Sequence, residues 1–176
     1  MSDAELVASL PSWAFAFILV LSRVASACML IPALGEAELP ATVRAGFAMA
    51  FAILVLPVVM PLLPPPPADM LTALMLVATE AVTGLWLGWL ARLIMLALPM
   101  AAQIAASMVG LANVLQPDAA LGPQSTALAR LFGLAAPVLI LSSGLHALPL
   151  AALAGSYAVL KAGTPLSGGD AAEEVL

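Results

Sequence analysis

A single cysteine, Cys28, and a single histidine, His146, leave this chain without the means for several kinds of chemistry. One thiol forms no internal disulfide and no multi-thiolate metal site. His146 has no acid, cysteine or second histidine close by in sequence. Metal binding and triad chemistry therefore lack a constellation, and a packing or capping role is expected of it. There is no phosphate loop and no nucleophile elbow either. A non-enzymatic protein with no catalytic residue, no cofactor and no metal is the expectation, and an enzyme built on His146 or Ser142 ranks last among the alternatives. Charge is scarce too: five basic residues stand against ten acidic ones, giving a net charge of -5. Nothing in that balance resembles a basic nucleic-acid footprint, so nucleic acid is not expected as a partner.

What fills the chain is apolar sequence. Hydrophobic residues make up 64% of its 176 positions, and the mean hydropathy is +1.14. A soluble domain of this length does not carry such a composition. The expected fold class is all-α, a polytopic helical membrane protein whose helices are broken by proline and glycine. The runs 6–31 and 45–63 are each long enough to cross about 30 Å of hydrocarbon. A polar connector over 33–42 separates them, and prolines 64–67 close the second in an extended, polyproline-like form. Asp69 is placed to cap a third helix from Met70 that Pro99 interrupts or kinks. A fourth helical stretch, 100–114, holds Gln103, Ser107 and Asn113. The segment 115–125, LQPDAALGPQS, should break the helix. Residues 126–161 form two helices or one broken one, with Pro137, Gly144 and Pro149 as kink points. The helical domain is read as 1–163, and 164–176 as a polar, acidic tail.

A small-residue site at 25–27 with Cys28 after it faintly resembles a cleavage signal. The acidic leading segment and Arg23 inside the apolar run argue against one, so the first helix is expected to stay.

The chain is organised around residues 80–92, EAVTGLWLGWLAR. Glu80, Gly84, Gly88 and Arg92 step by four, so on a helix they make one small, charged ridge. The glycine pair lets a neighbouring backbone approach closely. Glu80 and Arg92 lie about 18 Å apart along the helix at about 1.5 Å per residue, too far to pair, so each needs its own partner or a route to water. Arg23 poses the same question: it snorkels, or it meets an acid of a neighbouring helix or subunit. The ridge reads as a packing surface in a larger assembly. The alternative is a small-solute or proton-coupled transporter in which Arg23, Glu80 and Arg92 line the path.

Taken in order, these pieces resemble the FliR family of flagellar biosynthetic proteins and its injectisome counterpart in type III secretion. The resemblance is carried by Arg23 in FILVLSRVASACMLIPALG, by Leu39, Pro40 and Arg44, by the Glu80, Gly84, Gly88 helix and by GLANVLQPD at 110–118. GPQSTALARLFGL at 122–134 and GLHALPLAALAGSYAVLKAG at 144–163 continue it. The resemblance implies a subunit of the flagellar export gate, multi-pass in the bacterial inner membrane at the basal body. It implies assembly with FliP and FliQ around a channel for unfolded exported proteins, much of it above the membrane plane. It places Gly110, Leu111, Gln116, Pro117 and Asp118 near the channel constriction. Two departures stand out: Ala112 and Asn113 occupy places where the family often has an aromatic, and Ser143 stands before Gly144 where the family has a polar amide. The family also continues into further apolar helices, so the resemblance implies a chain lacking the family's C-terminal third.

Overall fold

The computed structural model describes residues 3–36, 39–109, 115–118 and 122–163. The apolar runs become helices: α1 (Asp3–Cys28), α2 (Ala41–Val59), α3 (Met70–Met108), α4 (Ala127–Ser142) and α5 (Ala147–Val159). A short 3-10 turn, Met60–Leu62, ends α2, and Leu63 beyond it is already extended, so the proline run leaves the helix as expected. The fold is all-α, as read from sequence. Its one departure among the described residues is a small antiparallel ribbon of β1 (Leu115–Asp118) and β2 (Gly122–Thr126). The register slips between Gln116 and Asp118, where Pro117 has no N–H to give to the ladder.

Pro99 does not end a helix. Pro11, Pro57, Pro99 and Pro137 all lie inside helices. The stretch read as a separate fourth helix is the continuation of α3, which runs through Pro99 to Met108. A proline removes one intrahelical hydrogen bond, and packed neighbours in an apolar setting make that loss tolerable. Pro99 is buried, with Gly133 of α4 opposite it. Where the chain does turn sharply, between α4 and α5, it does so at residues 143–146 by 70°, so the last apolar run is two helices.

α1, α2 and α3 are each long and apolar enough to cross a membrane, and the bent α4 and α5 pair counts as a fourth span if taken together. Between lipid-facing helices the hydrophobic effect does not drive association, so close packing has to. Small residues accordingly line the core: Ala27 of α1 and Ala48 and Ala52 of α2 are buried among Val20, Val24, Ile31, Val55 and Val59, with Leu153 and Tyr157 of α5 in the same cluster. Gly84 lies against Arg23 and Ser26, and Gly88 against Ala27 and Leu30, so α1 and α3 run parallel. With 39 residues, α3 is about 58 Å long at about 1.5 Å per residue, roughly twice the ~30 Å of bilayer hydrocarbon. Its second half carries α4 alongside in the opposite direction. Thr126, which caps α4 through Ala129 N–H, also donates from its own N–H and hydroxyl to Gln103 Oε1, at 2.8 and 2.9 Å.

Candidate functional site

The two charges of the α3 ridge, Glu80 and Arg92, find different partners. Glu80 is fully buried and Arg23 is 1% exposed. They meet as a two-pronged pair, with Arg23 Nε donating to Glu80 Oε2 at 2.8 Å and Nη2 to Oε1 at 3.0 Å. The planar guanidinium fork matches a carboxylate edge, which makes such pairs strong and directional. Of the two accounts open for Arg23, pairing with an acid is the one the structure holds, and the acid comes from its own chain.

The pair gathers more than itself. Arg23 Nη1 donates to Ser156 Oγ at 3.0 Å, and Nη2 donates to the Leu160 carbonyl at 3.1 Å. The guanidinium lies over the Tyr157 ring, 4.0 Å from its centroid, a favourable place for a cation on an aromatic face. Glu80 Oε1 also accepts from Gly163 N–H at 2.9 Å. One ion pair thus joins α1, α3 and the far end of α5. Sequence reading missed Ser156, Tyr157 and Gly163. Their only signal was a polar serine and tyrosine and a glycine inside GSYAVLKAG, which no spacing rule links to Arg23 across 133 residues.

Arg92 is served more loosely. Its Nη1 lies 3.7 Å from Glu36 Oε1, with the two side chains 23% and 27% exposed. Glu36 sits in the connector between α1 and α2, and its carbonyl also accepts from Arg44 Nη2 at 2.9 Å. Here the signal was present, since Glu36 is one of two acids in that connector.

The glycine ridge faces α1 of the same chain. A Cβ on Gly84 would collide with the Arg23 carbonyl and Ser26 Oγ, and one on Gly88 would lie 2.7 Å from the Ala27 carbonyl oxygen. Only hydrogen fits at either place. The ridge, expected to meet a partner, has one within the chain.

Gly110 and Leu111 fall outside the described residues, while Gln116, Pro117 and Asp118 form most of β1. The structure does not bring them to the Arg23–Glu80 pair. His146 holds the N-cap position of α5, yet its side chain makes no capping hydrogen bond there. Among the described residues no group of His, Cys, Asp and Glu side chains could hold a metal ion. An apolar groove of about 600 Å³ runs between α3, α4 and α5, walled by Leu87, Ile94, Leu98, Leu139, Leu148 and Leu153.

The family model for bacterial export proteins, family 1, matches residues 14–176. The chain belongs to that family. A relative of this family 1 export chain is the flagellar biosynthetic protein FliR of Caulobacter vibrioides, 29% identical over 141 residues. The match covers 80% of this chain and 56% of that protein, so the chain spans little more than half of the relative's length. The family read from the ordered sequence pieces is the family found.

Proposed function

We propose that this chain is a channel subunit of the flagellar type III export gate, assembling with FliP and FliQ in the bacterial inner membrane to pass unfolded flagellar proteins. The observation that carries the reading is the family match over residues 14–176. The geometry agrees with it in one respect. α3 is about 58 Å long against ~30 Å of hydrocarbon, and apolar side chains stand exposed along its length, from Met70 and Leu74 to Ile104 and Met108. A helix that long leaves apolar surface outside the bilayer, where protein rather than lipid has to cover it.

In this reading Arg23, Glu80, Gly84 and Gly88 serve subunit packing by fixing the α1–α3 surface that partners meet, and Arg92 by tying α3 to the α1–α2 connector. Gly110, Leu111, Gln116, Pro117 and Asp118 lie in the segment that narrows the channel. Energy for transport comes from partners. The transporter alternative has no observation in its favour, since Arg23 and Glu80 face each other in the core.

The test is co-expression of the tagged chain with FliP and FliQ, mild-detergent purification and native mass measurement, beside a version extended by the family's further helices. A stable mixed complex is expected. Failure of both versions to retain either partner would overturn the reading, and solute flux through the purified chain alone would favour the transporter.

A further inference from the structure

α5 is an arm fastened at one end and jointed at the other. At its start, the 143–146 turn swings the chain by 70°. Gly144 there has φ +76, and a Cβ on it would meet nothing within 4 Å. A left-handed glycine in open space is a joint that surrounding atoms do not lock. The backbone hydrogen bonds across this turn are local, from Gly144 N–H to Leu141 and from Ala147 N–H to Gly144.

At the other end, the polar contacts converge on one ion pair. Ser156 Oγ, the Leu160 carbonyl and the Tyr157 ring all engage Arg23, and Gly163 N–H engages Glu80. The Tyr157 hydroxyl is buried without a hydrogen-bond partner, so it adds no polar fastening of its own. Beneath the arm, Leu153 and Tyr157 complete an apolar cluster made otherwise by α1 and α2.

We propose that the Arg23–Glu80 pair is a latch for α5. With the pair intact the arm lies on the core; with it broken, α5 swings about residues 143–146 and uncovers part of the apolar cluster, while α1 and α3 stay packed through Gly84 and Gly88 and α2 stays on α1 through Ala48, Ala52 and Val55. The arm and the core are then two units of unequal stability within one chain. The proposal stands on the geometry of this chain and not on its place in an export gate, so either can fail alone.

The test uses the whole chain in mild detergent with Cys28→Ala, and pairs of spin labels whose separations are read by pulsed electron resonance. One pair joins exposed Ile53 on α2 to exposed Val159 on α5; a control pair joins Ile53 to exposed Ile94 on α3. In Glu80→Gln the arm pair should lengthen and broaden, with the swung population rising by at least about tenfold, and the core pair should keep its distribution. Ser156→Ala leaves the ion pair whole and should give a smaller change of the same sign. An arm pair unchanged in both variants would overturn the latch. Broadening of both label pairs alike would overturn it too, because the ion pair would then hold the entire core rather than one arm.

Discussion

Two ion pairs on one helix, three turns apart, are built in opposite ways. Glu80 meets Arg23 through two short hydrogen bonds with both side chains out of solvent, whereas Arg92 meets Glu36 at 3.7 Å with both about a quarter exposed. The first pair is sealed because Gly84 lets α1 close over it; the second lies where the polar α1–α2 connector passes. Depth, not charge, separates them. Buried, an ion pair makes each partner indispensable to the other, while near water the solvent stands in for either.

The comparison is tested most severely by removing one partner of the sealed pair. Arg23→Met leaves the Glu80 carboxylate without its counterion in a closed site, and a loss of about 3–5 kcal/mol is expected. The double variant Arg23→Met with Glu80→Leu removes both charges and should regain most of that loss. Thermal unfolding of the detergent-solubilised chain, followed by circular dichroism, measures each. A single variant as stable as the parent would mean the pair is not sealed in solution.

Next in size is the seal itself. Gly88→Ala puts a Cβ 2.7 Å from the Ala27 carbonyl oxygen, a backbone atom that cannot rotate away, so a loss of about 1–3 kcal/mol is expected. Gly88→Leu should prevent the α1–α3 approach altogether. Gly46, where a Cβ meets nothing within 4 Å, is the control: Gly46→Ala should be neutral or slightly stabilising in the same melts.

How much of this was legible in the sequence follows from the range of each cause. Glu80, Gly84, Gly88 and Arg92 could be placed on one ridge because helical spacing is local, and the need for separate partners followed from distance along the axis. The identity of Glu80's partner was not legible, because it depends on which helix lies across the ridge. Arg23 to Glu80 spans 57 positions and Arg23 to Ser156 spans 133, and no periodicity reaches so far. The reading of a separate helix after Pro99 erred for a related reason. Local propensity at Pro99 favours a break, but Pro99 is buried with Gly133 facing it, and tertiary packing overrides the propensity.

A smaller effect is expected at the open pair. Glu36→Gln removes the charge that Arg92 faces but leaves the Glu36 carbonyl to accept from Arg44. The loss should stay under about 1 kcal/mol and shrink further in high salt. A loss as large as that of Arg23→Met would erase the distinction between the pairs.

The smallest effect lies at the start of the same helix, where Asp69 is exposed to solvent. Its carboxylate accepts from Thr72 N–H at 3.0 Å and from Thr72 Oγ at 3.1 Å. Those two bonds favour the charged form and hold its pKa below the ordinary 3.8. The sign follows: a carboxyl whose folded pKa is depressed contributes fully above the unfolded value and loses that contribution as pH falls through the folded one. The cap should therefore be complete at neutral pH and fade only in acid, below about pH 4. In Asp69→Asn an uncharged oxygen can still accept from Thr72, and the pH dependence should vanish. The Thr72 amide resonance, followed by NMR from neutral to acid pH, reads both. A wild-type midpoint at or above the ordinary carboxyl value would show that the first turn of α3 is frayed, and would confine the order of this helix to the part that α1 covers.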